Sequence, residues 1–439
     1  MTGRINNIPQ PYWEILHPYK SWIDVLFSFF FPFLVPLFKV ASFPAAASCK
    51  ATIRCITGLR DTVQNLEASP NKTNPATWAK GAGCEIGECR IAVHRHVRVL
   101  TEWGIVHSND AMLKQLIQAE PEADDAVELI VKFPMNLVPK PQTPTRKSDR
   151  TGCTIVETID LSSIPQNVPI VVWFHGGGQT MGLDGNDGPQ TEWVFNVVKA
   201  QQEHTNSDKD KVSCVVVSVS YRLAPEHPFP AATVDALSAL DYVMANTNNL
   251  KIHIAGVSAG GFFAAVVCLE ANRRYPGRIQ SCLLISPMLN PKADSASYYM
   301  NSKSDGCCPV SFLRWSWRAT LQLAESSDVS DPDTLDEALA RGSNRTTWDK
   351  CPWSQSKEWA RLAYPITDIP QHLATAFIIA PNKADALHDD AIELVEALTV
   401  KGALNVTLIE ALGNHYFGWI THSDSRKLLM DAWRAALFD

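Results

Sequence analysis

From residue 169 onward the chain exchanges short β-branched runs for helical patterns, again and again. PIVVWF (169–174), VSCVVVSVS (212–220), KIHIA (251–255), CLLIS (282–286), ATAFIIA (374–380) and NVTLIE (405–410) punctuate it. Continuously apolar strands separated by helices are what a parallel sheet covered on both faces requires. Two earlier runs, 127–133 and 154–161, have no helix between them and read as antiparallel strands at one edge. The expectation is an α/β chain: a mostly parallel eight-stranded sheet flanked by helices.

One interval breaks the rhythm. Between LLISP and ATAFIIAP lie about ninety residues, too many for a simple crossover, and a compact domain rarely carries a structureless loop of that length. An inserted helical cap over 289–368 is therefore expected, carrying Trp315, Trp317, Trp348, Trp353 and Trp359. These tryptophans either line a lipophilic pocket or glue the insert to the body. The organisation that follows is an N-terminal apolar segment with part of the cap (1–124), a first part of the core (125–288), the cap (289–368) and a second part of the core (369–439).

A hydrophobic fraction of 46% against 19% charged residues is enough to build a large core, and a net charge of −7 without a basic stripe argues against nucleic acid as a partner. Eleven cysteines give no disulfide framework. Cys214, Cys268 and Cys282 fall in apolar patterns and read as small buried hydrophobes, whereas Cys49, Cys55, Cys84, Cys89, Cys307, Cys308 and Cys351 lie in irregular stretches and are free to pair in an oxidising compartment. Sequons at Asn71, Asn344 and Asn405 carry little weight, since Asn405 enters a strand.

Near the N-terminus VLFSFFFPFLVPLF (25–38) is uncharged, aromatic-rich and interrupted by Pro32 and Pro36. It is short for a membrane span. It can lie in the interface, tilt through with the following VASFPAAASC, act as a signal sequence, or pack on the body as a flap. Left exposed, so large an apolar patch points to membrane contact through residues 22–47, hence a membrane-associated protein, at the endoplasmic reticulum, with the cytoplasm as alternative. The oligomeric state is not legible.

KIHIAGVSAGG (251–261) runs from a strand straight into a helix, with Ser258 on the corner between Gly256 and Gly260. A corner that sharp needs residues without bulk, and it pushes the hydroxyl above the strand ends. The N–H of Ala259 then lies at a helix start, where donors lack intrahelical partners and negative charge is favoured. After the strand 169–174 come His175, Gly176, Gly177 and Gly178. Their uncovered N–H groups can aim at a developing oxyanion; the phosphate-loop spacings are missing. A serine hydroxyl is a poor nucleophile without a base. His415, after NVTLIEAL, and Asp385, after ATAFIIAP, arrive at the same sheet edge in the order Ser, Asp, His. Asp389 and Asp390 are alternative acids, but look like the first turn of a helix. His253 reads as a core histidine and His388 as a surface one. His94 and His96 near Cys89 lack a second close ligand pair, so no metal and no cofactor is expected.

HGGGQ, SYRLAPEHPFPAA (220–232), GVSAGG, DALHDD and NHYFGW together resemble the hormone-sensitive lipase group of α/β-hydrolases, over roughly residues 125–439. The resemblance implies an α/β-hydrolase fold with a helical cap built from an N-terminal segment and an insertion. It implies a serine ester hydrolase with Ser258 as nucleophile, His415 as base, Asp385 as acid, and the N–H groups of Gly176, Gly177 and Ala259 as oxyanion hole. The tryptophan-rich insert and the apolar N-terminus point to a lipophilic small-molecule ester as partner, such as an acetyl ester of a sterol or secondary metabolite. A non-catalytic small-molecule receptor on the same fold and an acyltransferase are the alternatives. Two positions depart from the group. Val257 stands where Asp or Thr is usual and Gln179 where an aromatic is frequent, both with consequences for pocket polarity. Within the proline-stiffened 220–232 run, Arg222 and Glu226 are expected to pair and hold the loop beneath the site.

Overall fold

A computed structural model of the protein describes residues 111–118, 126–133, 154–155, 160–180, 214–248, 251–301, 310–322, 348, 351–413, 415 and 423–438. Nine strands among these form one sheet: β1 (Ala111–Gln118), β2 (Ala126–Phe133), β3 (Thr154–Ile155), β4 (Ile170–Phe174), β5 (Val215–Ser220), β6 (Ile252–Val257), β7 (Ile279–Ile285), β8 (Ala376–Ala380) and β9 (Asn405–Leu408). Their order is β3-β1-β2-β5-β4-β6-β7-β8-β9. The β1–β2 and β2–β5 pairs are antiparallel, and every pair from β5 through β4 to β9 is parallel.

The expected sheet is present with one addition and one change of pairing: β3, expected as an antiparallel edge strand, pairs in parallel with β1. β1, AMLKQLIQ, comes from the stretch assigned no regular structure, and its pairing with β2 means the sheet begins at Ala111. The expected boundary at 124/125 therefore falls within a strand pair. Nor does the expected strand 154–161 run to its end: the carboxylate of Asp160 accepts the Ser162 N–H at 3.0 Å and starts a 3-10 turn at Leu161–Ser163.

The central strands are buried along almost their whole length because both faces are covered. Side chains of a strand alternate faces, and the two faces serve two apolar layers. Ile170, Val172, Phe174, Val215, Val217, Val219, Ile252 and Ile254 enter one layer with α1 (Ala231–Asn246) and α2 (Ala259–Arg274). Val171, Trp173, Val216, Ala255, Leu283 and Ile378 enter the other. That second layer is closed by Leu429, Trp433 and Leu437 of a C-terminal helix, spaced four apart so that they form one stripe. Each such fully buried aliphatic side chain contributes about 1.5–3 kcal/mol.

The insert contains α3 (Ala296–Met300), α4 (Val310–Leu321) and α5 (Lys357–Ala363); α6 (His388–Val400) and α7 (Ser423–Phe438) complete the described helices. Its tryptophans attach it to the body. Trp317 meets Phe262 of α2 edge-on at 5.5 Å, and Trp353 and Trp359 meet Phe229 at 5.1 and 5.9 Å. Trp348 packs on Tyr364. The side chain of Trp315 lies outside the described residues. Buried Glu270 of α2 adds a polar anchor by pairing with Arg273 and, at 2.9 Å, with Arg361 of α5.

Cys214, Cys268, Cys282 and also Cys351 are buried and in no disulfide, so Cys351 does not pair as its irregular surroundings suggested. Among the described residues no helix is long and apolar enough to cross a membrane. Residues 22–47, all the remaining cysteines, and His94 and His96 lie outside them.

Candidate active site

β5 lies on one side of β4 and β6 on the other, so the connections leaving β4 and β6 diverge at the carboxyl ends of neighbouring strands. Open α/β sheets bind ligands at such a switch point. Ser258 sits there, immediately after β6, with φ 57° and ψ −121°, a conformation costly for a residue bearing a Cβ. Its surroundings leave little alternative. The Ser258 N–H donates to Ile285 O at 2.9 Å, and its carbonyl accepts from Phe262 N and Met288 N at 3.2 and 3.0 Å.

The flanking glycines are required by contact. A Cβ on Gly256 would stand 2.1 Å from Gly260 O, and one on Gly260 would stand 2.0 Å from Phe174 O and 2.4 Å from His175 O. The start of α2 is thus pressed against the end of β4. The glycine loop beyond β4 reaches the serine: a Cβ on Gly176 would be 3.3 Å from that of Ser258. Gly177 and Gly178 follow with φ 125° and 62°, and Thr180 N donates to Gly177 O at 3.1 Å. Ala259, wholly buried, is the first residue of α2.

Asp385 and His415 meet at the ends of β8 and β9. His415 Nδ1 lies 2.7 Å from Asp385 Oδ2. The second carboxylate oxygen accepts Leu387 N–H at 3.0 Å, and both side chains are almost fully buried. A ladder of contacts fixes the two loops together: Lys383 N to Ala411 O at 2.9 Å, Ala384 N to Gly413 O at 3.0 Å, and a bridge between Asn382 and Ala411. Asn382 also ties this half to the serine half, donating through Nδ2 to Ser286 Oγ at 2.7 Å, one residue past the carbonyl that holds Ser258 N.

The alternative acids are engaged elsewhere. Wholly buried Asp390 accepts the N–H groups of Leu289 and Asn290, and burial pushes its carboxyl well above the usual range. Asp389 accepts Ser297 N–H at 2.8 Å, and the adjoining His388 holds its pKa down. His253 is a core histidine: burial, then the nearby Lys251 charge, lowers it to about 3, and its Nδ1 meets Ser281 Oγ at 2.7 Å.

Five features correct or extend the sequence expectations. Arg222 forks onto Asp235 of α1, with Nη2 to Oδ1 at 2.8 Å and its own N–H to Oδ2 at 2.8 Å. The residue that holds this run is thus Asp235, thirteen positions on, where Glu226 was expected. Tyr221 is what supports the glycine loop: its hydroxyl donates to His175 O at 2.7 Å and its ring stacks on the imidazole at 4.2 Å. Val257 joins the apolar layer shared with α7, so its departure from Asp or Thr falls on that layer. His388 is half-buried between two carboxylates, where a surface position was expected. Gln179 is 2% exposed, has φ 62°, and leaves Nε2 buried without a hydrogen-bond partner.

A strained serine at a strand-to-helix corner beside glycine backbone, with a buried His–Asp pair on the loops after later strands of the same sheet, is an arrangement suited to nucleophilic chemistry. Residues 171–417 match the family model described as alpha/beta hydrolase fold. A carboxylesterase of Mycobacterium tuberculosis, NlhH, is 35% identical over 253 residues, 53% of this chain and 72% of that protein. An AB hydrolase superfamily protein of Schizosaccharomyces pombe is 29% identical over 173 residues, 38% of this chain and 46% of that protein, less than half its length. A hyperthermophilic esterase from the archaeon Pyrobaculum calidifontis superposes with a TM-score of 0.53 at 21% identity, over 86% of this chain and 96% of that one, a likeness of fold. The chain belongs to the α/β-hydrolase family, within its hormone-sensitive-lipase-like group.

Proposed function

We propose that the chain is a serine carboxylesterase that cleaves a lipophilic ester through Ser258, His415 and Asp385, with the N–H groups of Gly176, Gly177 and Ala259 as oxyanion hole. The observation that carries this reading is the 2.7 Å contact between His415 Nδ1 and Asp385 Oδ2. A carboxylate only accepts, so Nδ1 carries the proton and Nε2 keeps its lone pair for use as a base. His415 takes the proton of Ser258 as the oxygen attacks the ester carbonyl, and Asp385 stabilises the imidazolium that forms. The imidazolium returns the proton to the departing alcohol. Water, activated by the same histidine, then releases the acid. Loss of one oxyanion donor typically costs about 10²- to 10³-fold in rate.

The carboxylesterase of 35% identity supports hydrolysis as the reaction. The aromatic insert and the apolar run 25–38 support a lipophilic substrate, such as an acetyl ester of a sterol or secondary metabolite. In this reading residues 289–368 cap the site and residues 22–47 bring it to a membrane surface. The test is turnover of p-nitrophenyl esters of increasing acyl length by the protein and by Ser258→Ala. The variant is expected to be folded and inactive; unchanged turnover refutes the proposal. A receptor on this fold would turn over no ester in either form, and an acyltransferase would give a new ester when a competing alcohol is added.

A further inference from the structure

Three residues beyond Asp385, His388 has both ring nitrogens within hydrogen-bond distance of carboxylates. We propose that His388 is a positioning residue for His415, clamping the loop that carries the histidine to the loop that carries the acid; this rests on the esterase reading above.

The geometry is that of a bracket between three elements. Nε2 of His388 lies 2.9 Å from Glu410 Oε1, just after β9 and five residues before His415. Nδ1 lies 3.0 Å from Asp389 Oδ1. Asp389 in turn accepts Ser297 N–H from α3, and Ser297 Oγ donates to Ala386 O at 2.6 Å. Asn301, following α3, donates to the carbonyl of Asp385 at 2.9 Å. Glu410 is held from its other oxygen by Lys383 at 3.4 Å. His388 therefore joins the start of the insert, the acid loop and the histidine loop at one imidazole.

Both of its partners are carboxylates that can only accept. A neutral imidazole has one N–H and can serve one of them, so the bracket closes on both sides only with the imidazolium. The charged groups facing it are Asp389 of α6, Glu410 beyond β9 and, through Glu410, Lys383. Bonding first to Asp389 and then to Glu410 raises its pKa from 6.5 to about 9. The bracket is thus closed at neutral pH and opens on one side as pH rises through about 9. An imidazole base displaced by about 1 Å loses on the order of 10²-fold in rate. Substrate affinity has no reason to follow, because both ring nitrogens of His388 are engaged by Asp389 and Glu410.

The experiment compares wild type, His388→Leu, His388→Arg and Glu410→Gln in p-nitrophenyl butyrate hydrolysis from pH 6 to about 10 with spontaneous hydrolysis subtracted, alongside circular dichroism. His388→Leu is expected to lose about 10- to 100-fold in kcat with KM within about twofold. His388→Arg, permanently charged and able to fork, is expected to restore kcat and to remove the wild-type decline above about 9. Wild-type kcat in His388→Leu, or an identical alkaline decline in His388→Arg, overturns the proposal. If His388→Leu does not fold, Glu410→Gln and His388→Arg decide it by the same readouts. Ser258→Ala separates the clamp from the reaction itself: activity there refutes the esterase reading, whereas an inactive Ser258→Ala beside a fully active His388→Leu refutes only the clamp.

Discussion

Adding one methyl group at Gly260 tests whether the serine corner and the glycine loop are set by steric contact. The new Cβ would lie 2.0 Å from Phe174 O, 2.4 Å from His175 O and 2.5 Å from Phe174 C, all backbone atoms at the end of β4. No rotamer change relieves a clash between two backbones, so α2 and the β4 end must separate by about 1 Å before the nearest contact becomes tolerable. The first cost is stability, about 1–3 kcal/mol for overpacking. The second falls on the chemistry, because α2 carries Ser258 and Ala259 while the β4 end carries Gly176 and Gly177. Moving the proposed nucleophile and the proposed oxyanion donors apart by about 1 Å is expected to lower kcat on the order of 10²-fold. The assay is urea denaturation together with p-nitrophenyl butyrate turnover of Gly260→Ala, with Gly277→Ala as control. Gly277 is exposed, has φ 77°, and a Cβ there meets nothing within 4 Å. The control should show the cost of a left-handed alanine, about 1–2 kcal/mol, at unchanged kcat. Gly260→Ala with wild-type kcat and stability would refute the claim that contact holds the corner.

Tyr221→Phe removes the hydroxyl that donates to His175 O while keeping the ring stack, and is expected to cost about 1 kcal/mol and to lower kcat more than it raises KM; equal stability and kcat would show that the loop needs no such support. His253 is kept neutral in the fold, its pKa held at about 3 by burial against an ordinary value of 6.5. Between those values the unfolded chain takes up the proton, so its contribution is complete above about 6.5 and is lost as pH falls toward about 3. The stability difference between wild type and His253→Gln should shrink across that window, and a pH-independent difference contradicts this linkage.

Much of the sheet was legible because parallel strands covered on both faces leave continuous apolar runs, as in IVVWF and VVVSV. β1 was not, because Lys114, Gln115 and Gln118 break any apolar run and its place is fixed by pairing with β2 and β3, contacts that periodicity does not encode. The serine corner was readable from Gly256 and Gly260, whose reason is steric and local. Asp385 and His415 were readable because each follows a recognisable strand. Partner choice was less so. Arg222 could be matched to a carboxylate only by knowing that α1 brings Asp235 beneath it, and Asn382, His388 and Glu410 meet their partners across separate loops. The tryptophans carried no sign of which face they occupy; the fold puts Trp317 and Trp348 in the core. Tyr221 had a signal, an aromatic at a strand end beside a glycine loop, but only the 2.7 Å hydroxyl contact gives it a role.

The proposed ester cleavage depends on one hydroxyl being made nucleophilic by an imidazole that a buried carboxylate orients. The direct measurement is intact-protein and peptide mass spectrometry after brief exposure to a fluorophosphonate. A single adduct on Ser258, formed far more slowly in His415→Ala, is the predicted result; no adduct, an adduct on another residue, or an undiminished rate without His415 would contradict it.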